Sequence, residues 1–261
     1  MSQYYRGKRT RNLFNPSVTT PYQLSRSKLE LFFNCARCFY IDRRLGVGQP
    51  PGFPFTLNSA VDHLLKEEFD TYRRSGQPHP LMRDAGINAV PCPHEKLDRW
   101  RNNFQGVDVH HERTNFVIKG AIDDLWMTPD ETYVVVDYKA TSKDKPVTID
   151  APWQLGYKRQ MGIYQWLLRG NGLTVSDKGY FVYCNGRRNR PRFDSRLEFD
   201  ITLIPYVGTT DWVEDCIVAA HKCLMADNIP PVTPDCDFCT YHSAVTDVVQ
   251  ENQGVGQLFE S

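Results

Sequence analysis

Two aspartates and a lysine near the middle of the chain have the types and spacing of a metal-dependent hydrolytic site. Phe116 to Trp126 and Tyr133 to Lys139 read as strands, and the intervening Thr128-Pro129-Asp130-Glu131 is turn chemistry, which predicts an antiparallel hairpin. With the turn centred on Asp130, Asp123 faces Asp137. Directly opposed side chains have Cβ atoms about 4.5–5.5 Å apart, and like charges there repel unless a cation lies between them. Strand periodicity also puts Val135, Asp137 and Lys139 on one face, bringing an ammonium to the same point. Such carboxylates can hold Mg²⁺ or Mn²⁺, which polarises a phosphodiester and acidifies water, while the lysine orients or deprotonates that water. Taken alone, Asp-x-Lys is a weak motif: most such tripeptides are strand ends with a surface ion pair, and Asp123 with Asp124 also fits an exposed acidic edge.

Cysteines form a second constellation. Cys35-x-x-Cys38 and Cys236-x-x-Cys239 each present two thiols at a spacing that reaches one centre. Four thiolates suit tetrahedral Zn²⁺ or an iron–sulfur cluster. Cys92, Cys184, Cys216 and Cys223 lack such pairing and read as packing residues.

These residues need elements to carry them. Ser27-Lys28-Leu29-Glu30 has the form of a capping box, and Leu29, Phe32, Phe33, Ala36, Phe39 and Tyr40 recur at helical spacing, predicting a buried helix through the first cysteine pair. Gly46 to Pro54 reads as a loop, and Asn58 as the cap of a second helix with apolar positions Val61, Leu64, Leu65, Phe69 and Tyr72, on which His63 rides. Residues 76–112, polar and rich in proline, are expected to form an irregular or helical insertion. Gln160 and Tyr164 are four residues apart and share a helix face. Later strands are expected near Gly179 to Tyr183 and Leu197 to Ile204.

Gly120-Ala121-Ile122-Asp123, then Val134-Val135-Val136-Asp137-Tyr138-Lys139, then Gln160-Met161-Gly162-Ile163-Tyr164, with His63 upstream, resemble in order the RecB-like branch of the PD-(D/E)XK nucleases. That branch includes the nuclease domains of recombination helicase–nucleases and the CRISPR-adaptation exonucleases. Ser25 to Tyr40, with its Phe-Asn-Cys-Ala-Arg-Cys-Phe-Tyr core, looks like the family's opening helix, so the resemblance runs from about residue 25 to about residue 241. It implies an α/β restriction-endonuclease-like core: a central mixed β-sheet flanked by helices, with the termini joined by the four-Cys site. It further implies that Asp123 and Asp137 ligate the metal, joined by the Tyr138 carbonyl and by His63, that Lys139 is the catalytic base or water-positioning group, and that Gln160 and Tyr164 position the lysine or the nucleic acid. A [4Fe–4S] cluster on Cys35, Cys38, Cys236 and Cys239 is implied in the same way, with Zn²⁺ as the alternative. Here the chain departs from the family pattern of one amino-terminal and three carboxy-terminal cysteines, having two at each end.

The 261 residues, 41% of them hydrophobic, suffice for one large domain, expected over residues 25–245 between a basic flexible arm (1–24) and a flexible tail (246–261). A net charge of zero argues against a protein that coats nucleic acid, though not against one gripping a few phosphates. Arg6, Lys8, Arg9 and Arg11, and again Arg187, Arg188, Arg190 and Arg192, could track a backbone or be solvated. No apolar run approaches the ~18 residues of a membrane helix and no signal segment opens the chain, so no membrane association and a cytoplasmic location are expected. The resemblance implies DNA, single- or double-stranded, as substrate, and a helicase or a recombination or CRISPR-type partner. No phosphate-binding Gly-x-x-x-x-Gly-Lys loop is present, so ATP-driven unwinding would fall to another chain. The competing reading is a catalytically inert nucleic-acid-binding or scaffold protein of the same fold. In the tail, Gly256-Gln257-Leu258-Phe259 has the look of a docking peptide.

Overall fold

A computed structural model of the protein describes residues 7–52 and 56–256. Strand β1 (Tyr22–Ser25) leads into helices α1 (Arg26–Asn34) and α2 (Ala36–Tyr40) and a π-helical turn (Ile41–Leu45). The long helix α3 (Thr56–Ser75) is followed by α4 (Pro80–Asp84), β2 (Val90–Pro91), α5 (Leu97–Arg101) and β3 (Val107–His111). Next come β4 (Phe116–Gly120), β5 (Asp124–Met127) and β6 (Tyr133–Thr141), then α6 (Leu155–Gly170), β7 (Lys178–Gly186), β8 (Phe199–Val207), α7 (Asp211–Met225) and α8 (Asp237–Gly256). No described helix is long and apolar enough to cross a membrane.

The central sheet has the order β2-β5-β6-β7-β8 and is mixed: β6 and β7 run parallel and the other neighbours antiparallel. A parallel pair needs a long crossover, and α6 supplies it. Alternation along the strands sends side chains to two cores. Val134, Val136, Tyr138, Val182 and Cys184 meet Leu65 and Phe69 of α3, whereas Val135, Phe181 and Tyr183 meet Met161, Ile163 and Leu167 of α6. Both faces of the sheet are therefore covered by helices, each large apolar side chain so buried contributing ~1.5–3 kcal/mol. A second, three-stranded sheet, β1-β4-β3, packs beneath α6.

The hairpin keeps the expected register, Asp124 opposite Val136 and Leu125 opposite Val135, with the turn at Asp130. Its first strand, however, is two. Phe116–Gly120 belongs to the smaller sheet, and the chain crosses to the central sheet through residues 121–123. Gly120 marks the departure point because a Cβ there would lie 2.9 Å from the Tyr164 ring. Asp123 thus sits at the break, one residue before the ladder, beside Asp137 without being its ladder partner.

Other expectations are corrected by packing. The first helix breaks at Cys35, whose extended backbone (φ −162°) lets its sulfur accept the Cys38 N–H at 3.3 Å and start α2. Glu30 forms no capping box: α1 begins at Arg26, and Glu30 takes Arg159 Nε of α6 at 2.9 Å. Asn58 lies inside α3 and donates to the Ala140 carbonyl at 3.2 Å. Residues 76–112, expected as an irregular or helical insertion, carry α4 and α5, and they also supply edge strands to both sheets and bury Met82, Leu97 and Trp100. The arm is not loose over its described part either. Phe14 enters the core, and Arg9 pairs with Asp42, whose buried carboxylate also meets Lys28 Nζ at 2.8 Å and Arg43 Nε at 2.9 Å. Residues 246–256 continue α8, while Arg6 and the Gln257-Leu258-Phe259 end of the expected docking peptide lie outside the described residues. Arg187, Arg188, Arg190 and Arg192 are each paired at the surface, with Asp200, Asp144, Glu198 and Asp194.

Asp124, expected at an exposed edge, is fully buried. Its Oδ1 accepts Arg101 Nη2 at 2.6 Å and pairs with Arg73, and its Oδ2 accepts the Tyr138 hydroxyl at 2.7 Å. Asp70 closes the network, taking Arg101 Nη1 at 2.8 Å and Arg73 Nε at 2.9 Å. Helices α3 and α5 and strands β5 and β6 are thereby joined through one carboxylate.

Two outcomes follow from these buried acids. Asp124→Ala, which leaves Asp70 as the one carboxylate facing two buried guanidinium groups and removes the partner of the Tyr138 hydroxyl, should lower unfolding free energy by ~3–5 kcal/mol in urea titrations, far beyond the effect of Asp130→Ala in the turn. At Asp42 burial alone would raise the carboxyl, but Arg43, Lys28 and Arg9 hold it down at about 2. Its folded pKa lies below the unfolded value, so it contributes stability above pH ~4, of the order of 2 kcal/mol, that is lost as pH falls towards 2. Urea midpoints should therefore drop less steeply across that window in Asp42→Asn than in the unaltered protein.

Candidate active site

Asp123, Lys139 and Gln160 line a cleft, and the buried Asp137 lies behind it, in contact with Lys139 and Gln160. Asp137, completely buried, lies on the β6 face that meets α6; its Oδ1 accepts Gln160 Nε2 at 2.8 Å. Gln160 Nε2 also donates to the Tyr164 hydroxyl at 2.9 Å, one helical turn on, and Gln160 Oε1 accepts Lys139 Nζ at 3.4 Å. The Lys139 ammonium pairs with Asp137 Oδ2 and stands 4.6 Å from the centre of the Tyr157 ring. Asp123 approaches from the break before β5, its Oδ2 accepting the Tyr138 N–H at 2.9 Å. The N–H and C=O of one strand residue face the same neighbour, so the Tyr138 carbonyl is turned towards Asp123 as well. Arg101 Nε holds the Asp123 carbonyl at 3.0 Å, which couples this residue to the Asp124 network.

Electrostatics at the site are unbalanced in a way that suits a cation. Burial pushes the Asp137 carboxyl up; Lys139 opposes this, Asp123 adds to it, and the result is a value of about 7. Asp137 Oδ2 is paired with the Lys139 ammonium, while Oδ1 is held by Gln160. A buried carboxylate next to a second carboxylate and a strand carbonyl is an all-oxygen donor set of the kind that hard divalent ions take. A hard divalent ion therefore fits the residues present.

On α3 the cleft is lined by a different residue from the one expected. His63 is exposed and does not line the cleft, whereas Asp62 and Lys66 do. Lys66 Nζ lies 2.8 Å from Asp62 Oδ2 and 3.6 Å from Asp123 Oδ1, an ammonium set between two carboxylates. Helical phase is the reason. Leu65 and Phe69 are buried against the sheet, which turns Asp62 and Lys66 inward and leaves Leu64 and His63 outside. That phase was readable from the apolar spacing, and it could have pointed to both residues. Arg26 at the start of α1 and Asn103 complete the rim.

The four cysteines meet at the opposite end of the chain's path. Cys35 Sγ is 3.6 Å from Cys239 Sγ, and Cys38 Sγ is 3.7 Å from Cys236 Sγ and 3.8 Å from Cys239 Sγ. All four sulfurs lie within 4.8 Å of one another, three of the residues being buried and Cys38 half-buried. The remaining cysteines are scattered through the packing, Cys92, Cys184 and Cys216 being buried.

Compared with known proteins, the chain matches no curated protein. It is similar to the solved structure of SSO0001, with a TM-score of 0.40 and 16% identity over 87% of this chain and 86% of that one. Residues 56–244 match the family model of the PD-(D/E)XK nuclease superfamily, a stretch that holds Asp62, Asp123, Asp137, Lys139, Gln160 and Tyr164. A match over that much of the sequence, on a mixed sheet flanked by helices, shows that the chain belongs to the PD-(D/E)XK nuclease superfamily.

Proposed function

We propose that this protein is a Mg²⁺- or Mn²⁺-dependent nuclease that hydrolyses DNA phosphodiesters, with Asp123, Asp137 and Lys139 as its catalytic centre. One observation carries the reading: the buried carboxylate of Asp137, paired with the Lys139 ammonium, lies directly behind an open cleft lined by Asp123 and Lys139. Asp123, Asp137 and the Tyr138 carbonyl would hold the ion, which when bound supplies Lewis-acid polarisation of the phosphodiester and a more acidic water. Lys139 then positions or deprotonates the attacking water and counters the charge that builds on the phosphate. Gln160 keeps Lys139 and Asp137 in register by bonding both, and the Tyr164 hydroxyl fixes the Gln160 amide in turn. Asp62 takes the helix-borne ligand position expected of His63, because it is the residue that α3 turns into the cleft. Lys66, now between Asp62 and Asp123, would shift aside or neutralise the phosphate. DNA as the substrate follows from the resemblance to the RecB-like nucleases.

The test is cleavage of end-labelled single- and double-stranded DNA with and without Mg²⁺ or Mn²⁺. Asp123→Ala, Asp137→Ala and Lys139→Ala should each cut turnover by ~100-fold or more while leaving thermal unfolding cooperative. Asp62→Ala should also lose activity, and His63→Ala should stay within about twofold of the unaltered enzyme, as expected for an exposed surface residue. Near-normal turnover in any two of the first three variants would overturn the assignment.

A further inference from the structure

Four thiolates can surround one ion or one cluster, and the two differ in size. In a tetrahedral site with metal–sulfur bonds of about 2.3 Å, neighbouring sulfurs are about 3.8 Å apart. Here the close pairs are 3.6, 3.7 and 3.8 Å apart, and no pair of ligand atoms exceeds 4.8 Å. In a [4Fe–4S] cluster each thiolate binds its own iron at a separate corner of a cube, so the sulfurs radiate from a body several ångströms across and stand much further apart. The space among Cys35, Cys38, Cys236 and Cys239 does not fit the cluster implied by the family resemblance.

We propose that these cysteines hold a single tetrahedral divalent ion, zinc, and that this ion is what fastens α8 to the body of the protein. The local backbone agrees with thiolate ligation. Cys35 sits at the break between α1 and α2 and its sulfur accepts the Cys38 N–H, a bond that stabilises charge on the ligand and orients it. On the other side, Cys236 lies just before α8 and Cys239 in its first turn. Among the described residues of α8, Cys239 is the only buried side chain, and Phe238, Tyr241, Val245, Val248 and Val249 are all exposed. A helix with so little of its described surface buried gains little from packing, whereas metal binding at a site absent from the unfolded chain stabilises the folded arrangement directly. Zinc has no redox chemistry to offer, so the site clamps two distant segments and leaves electron transfer out.

Metal content distinguishes the two occupants without reference to nuclease activity. Protein produced with both iron and zinc in the medium and purified anaerobically should contain about one zinc per chain, no acid-labile sulfide and no visible colour. Cobalt replacing the zinc should give the visible bands and thiolate charge-transfer absorption of a tetrahedral sulfur site. Iron with sulfide in equal amount, or a protein that takes up neither zinc nor cobalt, would overturn the proposal. Cys38→Ser and Cys236→Ser should each lose most of the bound zinc. Should either fail to fold, the wild-type chain stripped with a chelator gives the same answer: chymotrypsin should then cut at Phe238 or Tyr241, with protection restored by zinc alone. An unchanged digestion pattern after complete removal of zinc would show that the ion does not fasten α8.

Discussion

One buried carboxylate organises the active half of this molecule. Asp124 has no access to solvent, and an isolated charge there would be prohibitively costly to desolvate. Arg73 from α3, Arg101 from α5 and the Tyr138 hydroxyl from β6 converge on it, and Asp70 shares both guanidinium groups. Because the charge is tolerable only with all its partners in place, the network sets where α3 lies along the sheet and where the chain enters β5. Those two placements put Asp62 and Lys66 on one wall of the cleft and Asp123 on another. The acid next door to the catalytic candidate therefore acts as its foundation, although nothing in its own position would touch a substrate.

Inside the cleft the balance of charge is different. Burial pushes the Asp137 carboxyl up to about 7 against the pull of Lys139, and nearby Asp123 adds to the rise. Two ammonium groups flank the carboxylates, Lys139 from the sheet and Lys66 from α3, and each is held by a neighbour: Gln160 in one case, Asp62 in the other. A divalent ion entering between Asp123 and Asp137 would relieve the repulsion and invert the pKa logic, since both carboxylates then remain ionised. The site is preorganised in that its side chains are already bonded to partners on three separate elements.

The two ends of the chain are secured by different means. The amino-terminal segment is anchored by ordinary packing and charge, with Phe14 in the core and Arg9 on Asp42. Among its described residues the carboxy-terminal helix buries only Cys239, which lies with the sulfurs of Cys35, Cys38 and Cys236. Because the cysteine site is built from the α1–α2 break and the start of α8, it brings the ends together away from the cleft that holds Asp123 and Lys139. Changes at one site are expected to leave the other's geometry in place.

Residue identity and short-range periodicity were enough to specify much of this protein. The Asp130-centred register of the hairpin, the alternation that sends Val135, Asp137 and Lys139 one way and Val134, Val136 and Tyr138 the other, the shared helix face of Gln160 and Tyr164, and the meeting of the two Cys-x-x-Cys pairs are local patterns repeated along the chain. They follow from strand and helix geometry or from the chemistry of thiols. What only the tertiary structure decided are the features that depend on which surfaces meet. Phe116 to Trp126 has strand character throughout, yet it divides between two sheets because Gly120 must let Tyr164 approach. Asp124 looks like an exposed acid until two arginines from distant helices enclose it. His63 lies at the right point along α3 but one residue out of phase with the buried Leu65 and Phe69, so Asp62 faces the cleft instead. The choice between one metal ion and a cluster rests on sulfur–sulfur distances across some two hundred residues of sequence, and spacing within each pair, which both occupants share, carries no information about that separation.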